Sequence, residues 1–195
     1  MKGISNSIAT ELGAQGIIQE EDIDKCRYGL EVFISSVLEI VSLLFVALFV
    51  GNFLETVLLF AAFIPLRIYA GGYHANTKLK CYLISVAVYI LFTVIMYILP
   101  QELYLTVSVL CTLLSLMMVF TSAPIIHYNK SVNDMEKTYY RKFSVVIVLT
   151  ETVIILLLSI SFLNSKIGIS LALGQAAVSL SMIAAIIKQK LCKHR

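Results

Sequence analysis

The chain has 195 residues, of which 59% are hydrophobic and only 14% charged, with a formal net charge of +3 and a mean hydropathy of +0.90. A soluble domain carries about 25% charged residues and has no core able to hide so much apolar surface. Composition therefore excludes an ordinary soluble enzyme and points to one all-α bundle built within a membrane.

Residues 1–29 are polar and carry Glu11, Glu20, Glu21, Asp22 and Asp24, whereas a cleavable signal begins basic and soon turns apolar. This segment is expected to be cytosolic or interfacial. Ile4, Ile8 and Leu12 recur every four residues, which predicts a short amphipathic helix on the membrane surface, with a frayed polar leader as the alternative.

Six hydrophobic runs follow, at 30–50, 53–69, 81–99, 103–123, 143–163 and 167–187. Most approach the roughly 20 residues that a helix needs to cross a hydrocarbon core. They define a membrane domain over 30–187, closed by a basic tail at 188–195. The second run is the weakest, since it is short and Pro65 near its end is expected to kink or stop the helix. A four-span arrangement with two interfacial segments is the competing model.

Positive charge alternates with the six spans. With the N-terminus inside, Lys2, Lys25, Arg27, Arg67, Lys78, Lys80, Lys130, Lys137, Arg141, Lys142, Lys188, Lys190, Lys193 and Arg195 are all cytosolic, and Lys166 alone lies outside. The positive-inside rule predicts such a bias, with both termini in the cytosol. The inner connections, 70–80 and 124–142, are longer than the outer ones and hold nearly all the polar side chains. Functional groups concentrate in such loops, so the working face is expected on the cytosolic side.

Cys26, Cys81 and Cys192 fall on the reducing side and Cys111 lies inside a span, which argues against a disulfide framework. Cys111 reads as a small core hydrophobe. His74, His127 and His194 offer no converging ligand set, and a zinc site needs three or four. No metal, other cofactor or nucleic-acid partner is expected.

The chemistry-bearing segment runs from Arg67 through Gly71-Gly72-Tyr73-His74 to Cys81. A thiol attacks only as thiolate and needs help near neutral pH. His74 can take its proton, the start of the third membrane helix supplies positive potential, and Arg67, Lys78 and Lys80 add charge. On one straight helix His74 and Cys81 would share a face but lie roughly 10 Å apart. An active dyad therefore requires 71–80 to fold back, which Gly71 and Gly72 permit; their N–H groups are candidates for an oxyanion site. Spacing alone favours a structural loop at a helix junction over an active dyad.

Arg67, Gly71-Gly72-Tyr73-His74-Ala75 and Cys81 together resemble the signature of the accessory gene regulator B (AgrB) family, membrane-embedded cysteine peptidases of Gram-positive quorum sensing. Tyr28-Gly29-Leu30-Glu31, Ala123-Pro124 and Asn129-Lys130 support it. Ser131 departs from the pattern, since many members have proline there. The resemblance implies that Cys81 forms an acyl-enzyme with a small AgrD-like precursor peptide, with His74 as base and then acid, and that a Cys or Ser of the precursor closes a thiolactone or lactone. It also implies a homodimer in contact with membrane lipids, in the cell membrane of a Gram-positive bacterium. An acidic precursor tail would be drawn to Arg67, Lys78, Lys80, Lys130 and Lys137.

Glu39 and Glu151 each lie about eight residues into a span, roughly 12 Å deep. An ionisable group there normally faces the protein interior or a wet cavity, so both are candidates for lining a substrate cavity. Glu31 and Arg67 lie at one membrane boundary and are candidates for a pair that orients the loop, against plain helix-packing polarity. A small peptide or ion transporter, which buried carboxylates and broken helices would suit, and a noncatalytic scaffold are the alternatives. The sequence shows no internal repeat, and transport leaves the His74–Cys81 pairing unexplained.

Overall fold

A computed structural model describes residues 2–73, 75, 77–125, 133–162 and 165–193; the side chains at 2, 4, 20, 78, 192 and 193 lie outside the description. Seven helices account for nearly all of these residues: α1 Lys2–Ala14, α2 Ile23–Val50, α3 Phe53–Ala70, α4 Lys78–Ile98, α5 Tyr104–Ser122, α6 Asp134–Ser161 and α7 Lys166–Lys193. The last six are long and apolar enough to cross a membrane. The expected all-α bundle with six spans and a short N-terminal helix is what the chain forms.

The chain divides into two compact units, Met1–Phe49 and Val50–Arg195. In the first, α1 turns back along the start of α2, and Arg27 Nη1 donates to Asn6 Oδ1 at 3.4 Å. The fully buried positions of α1 are Ser5 and Ala9. Small side chains let the helix approach closely, while Ile8 of the Ile4/Ile8/Leu12 stripe stays exposed. That placement leaves an apolar position outward, as an interfacial helix requires.

In the second unit, α7 is the buried helix: 56% of its most apolar stretch is buried, against no more than 28% for any other span. Its sequence explains this. A Cβ at Gly174 would collide with the Leu59 carbonyl of α3, and one at Gly168 with Ser159 of α6. Membrane helices pack closely where small residues let backbones meet, because lipid leaves little hydrophobic drive between them. Leu66, Ala70, Val119, Ala123, Val148, Val178 and Met182 form one buried cluster among α3, α5, α6 and α7. Ala62, Ile155, Leu171 and Ala172 form another, against which Cys111 packs as a small hydrophobe.

Three expectations need correction. Pro65 does not stop α3, which runs five residues further to Ala70; neighbouring helices in a membrane bundle tolerate a proline that lacks its N–H. Residues 133–142 are not loop, because α6 begins at Asp134 under a capping box of Asn133 and Glu136, which satisfies two otherwise orphaned backbone donors. Lys137, Arg141 and Lys142 thus stand on helix. Likewise α2 begins at Ile23, ahead of the apolar run, and carries Lys25 and Arg27 in ion pairs with Asp22 and Asp24.

Candidate active site

The site is built where α3 ends and α4 begins. Gly71 closes α3 by donating its N–H to Arg67 O at 3.2 Å, at a φ of 77° that favours glycine. The chain then runs beside Ile125, whose N–H donates to Ala70 O at 2.9 Å. A Cβ at Gly71 would strike the Ile125 carbonyl. At Gly72, φ 143°, the same test places a Cβ on Arg67 Nη1 and Ser181 Oγ. Both glycines are therefore demanded by backbone shape and by what fills the space beside them.

Arg67 sits in the last turn of α3, where a cation suits the exposed carbonyls. Its Nη1 donates to Gly71 O and to Ser181 Oγ, each at 2.7 Å. Its Nη2 donates to Tyr73 O. The Tyr73 N–H in turn donates to Ser181 O at 3.0 Å and to Ser181 Oγ at 3.1 Å. One guanidinium and one serine of α7 thus tie the turn 71–73 to the buried helix. Lys188, two turns further along α7, places Nζ 4.9 Å from the centre of the Tyr73 ring, within cation–π range.

Thr77 caps α4 by accepting from Lys80 N at 3.3 Å, a bond that satisfies one free donor of the first turn. Cys81 follows as the fourth helical residue, half-buried, with its N–H donating to Thr77 O at 3.1 Å. The Arg67 guanidinium is close enough to interact electrostatically with Cys81. The first turn of α4 and the Arg67 cation therefore both lie near the thiol.

The predicted residues fare unevenly. Arg67, Gly71, Gly72 and Cys81 are brought together. The Gly71 N–H closes α3 and so is not the oxyanion donor expected of it. Lys80 is exposed beside the cap. His74, Lys130 and the Lys78 side chain lie outside the described residues. Glu31 and Glu39 lie half-buried on α2, in the first unit. Glu151 lies on α6 facing Gln175 of α7, whose Nε2 reaches Val148 O at 3.2 Å, Thr152 Oγ1 at 3.4 Å and Glu151 Oε2 at 3.5 Å. Among the described residues no group of three His, Cys, Asp or Glu side chains is placed to hold a metal. Sequence reasoning missed Ser181 and gave Tyr73 and Lys188 no contact of their own. A weak signal existed: Ser181 and Lys188 are seven residues apart, hence on one helix face, in an otherwise apolar segment.

The family model for Accessory gene regulator B (AgrB) matches residues 3–187. The chain belongs to that family. Curated relatives include putative AgrB-like proteins of Listeria innocua, 31% identical over 104 residues, and of Listeria welshimeri and Listeria monocytogenes, each 30% identical over 104 residues. These alignments cover 53% of this chain and 51% of each relative, so the chain spans about half the length of the curated relatives it matches. No solved structure matches. The AgrB resemblance carried by residues 67–81 thus extends over nearly the whole chain.

Proposed function

We propose that this AgrB-family chain is a membrane-embedded cysteine endopeptidase that cleaves a small AgrD-like quorum-sensing precursor and cyclises the product. The observation that carries this reading is the placement of Cys81 in the first turn of α4, within electrostatic reach of an Arg67 held by three hydrogen bonds. A fixed cation beside a helix-start thiol favours the thiolate that attacks.

In the proposed reaction the Cys81 sulfur adds to the carbonyl that follows the future ring, and His74 takes the thiol proton. The C–N bond breaks, His74 returns the proton to the leaving amine, and an acyl-enzyme thioester remains on Cys81. A Cys or Ser of the precursor then attacks that thioester, its proton passes to Cys81 through His74, and the macrocyclic thiolactone or lactone leaves. Water has to be kept away while the thioester waits, which a site at a membrane boundary favours.

The charge bias supports a cytosolic site, and the Listeria relatives support the cell membrane of a Gram-positive bacterium as its location. Arg67, Lys78, Lys80, Lys130 and Lys137 supply positive charge to which an acidic precursor tail would be drawn. The working unit is a homodimer surrounded by lipid.

The test is co-expression with a precursor encoded nearby, followed by mass spectrometry of the peptide in wild type, Cys81→Ala and His74→Ala. Both variants are expected to abolish processing, and a covalent peptide adduct is expected to map to Cys81. Normal processing in either variant removes the dyad.

A further inference from the structure

We propose that Ser181, on the last membrane helix, is a positioning residue for the Cys81 chemistry, fixing through its Oγ both the Arg67 guanidinium and the turn that leads towards the thiol. The proposal rests on reading Cys81 as the nucleophile.

Arg67 has three oxygen partners, and they differ in kind. Gly71 O and Tyr73 O belong to the Gly-Gly turn itself, so they move with the segment that Arg67 is meant to hold. Ser181 Oγ belongs to α7, the most buried helix of the bundle. It is the only one of the three anchored outside the turn. The Tyr73 N–H comes to the same residue, bonding both Ser181 O and Ser181 Oγ. Leu66 and Ala70 of α3 and Val178 and Met182 of α7, close to Arg67 and Ser181 along their own helices, belong to one buried cluster. Ser181 therefore sets the turn against a packed floor.

Other serines of α7 behave differently. Ser170 donates to Lys166 O at 2.6 Å and Ser179 to Gln175 O at 3.4 Å, the inward i−4 bond by which a membrane helix satisfies a hydroxyl on its own backbone. Ser181 Oγ instead accepts from an arginine 114 residues away in sequence and from the Tyr73 amide. Gly72 completes the fit, since its missing Cβ is the space that Arg67 Nη1 and Ser181 Oγ occupy. Lys188 grips the Tyr73 ring from the same face of α7.

The consequence is electrostatic. If Ser181 fixes where the Arg67 charge sits, removing its hydroxyl lets that charge drift from Cys81 while the helices stay packed. Iodoacetate and iodoacetamide attack the same thiolate, but only the first is an anion, so the ratio of their rates at Cys81 reads local positive potential and cancels the thiolate fraction. Measured by peptide-resolved mass spectrometry on the full chain in membranes, that ratio is expected to fall about fivefold in Ser181→Ala and to stay within about twofold of wild type in Ser181→Thr. The ratio at Cys26 is expected to stay unchanged. With a precursor, kcat should fall about tenfold in Ser181→Ala with KM little altered. Ser181→Val has the shape of Ser181→Thr without the hydroxyl, so this pair repeats the comparison at constant volume if the alanine variant does not accumulate. A wild-type ratio in Ser181→Ala, or equal ratios in Ser181→Thr and Ser181→Val, overturns the proposal. Normal processing in Cys81→Ala would instead sink the peptidase reading, while the alkylation ratio would still decide the role of Ser181.

Discussion

Two polar clusters lean on α7, one half-buried and one deeper, and they are satisfied to different degrees. At Ser181 every polar group named is matched: Arg67 meets three oxygens and the Tyr73 amide meets two. One or two turns deeper, Gln175 reaches Val148, Thr152 and Glu151, yet Glu151 Oε1 and Gln175 Oε1 are buried without a hydrogen-bond partner. In the first cluster each acceptor named has a donor, and the converging bonds specify one geometry. The second has more acceptors than donors, and an unmatched buried acceptor costs about 1–3 kcal/mol. A matched network is suited to holding a reactive segment still, whereas an unmatched one accommodates a proton or water.

The largest expected effect tests the matched cluster at its centre. Arg67→Gln removes the charge and leaves Gly71 O, Tyr73 O and Ser181 Oγ short of donors, so precursor processing should drop by about 10²–10³-fold, read by mass spectrometry of the product. Retained processing would mean that the cation is not what the turn is built around. Gly72→Ala comes next. Its Cβ would fall on Arg67 and Ser181, and we expect a loss of about 2–4 kcal/mol, measured as a lowered thermal midpoint in detergent, together with loss of processing.

The unmatched cluster gives the opposite sign. Glu151→Gln supplies amide donors where Glu151 Oε1 and Gln175 Oε1 lack partners, and stability should rise by about 1 kcal/mol. A fall in the thermal midpoint would show that the carboxylate holds something the amide cannot. The smallest effect belongs to the α4 cap: Thr77→Ala should cost about 1 kcal/mol and slow Cys81 alkylation relative to Cys26. An unchanged alkylation ratio would separate the cap from the thiol.

Much of this was legible before any fold was known. Each span needs about 20 apolar residues to cross a membrane, so the six runs had to appear as helices, and the break at Gly71-Gly72 marked its own loop, although the third span was expected to restart at Cys81 and α4 begins at Lys78. Helix ends were less legible. Pro65 read as a kink or a stop because its local penalty is plain, whereas the neighbouring helices that let α3 continue to Ala70 are not written beside it. The α6 start was present as Asn133 and Glu136, three residues apart, but charged neighbours made it read as loop. The role of Gly71 was misread because its N–H closes α3, a use that depends on where Arg67 O lies.

The sequence by itself determined a membrane bundle, its spans, and a cysteine placed at the start of a helix after a glycine pair, because these depend on local hydropathy, capping and backbone freedom. Only the tertiary structure decided which polar residue of α7 faces that turn. Small residues let α3 and α7 meet backbone to backbone at Leu59 and Gly174, and that close approach, set far from the loop in sequence, brings Ser181 to Arg67.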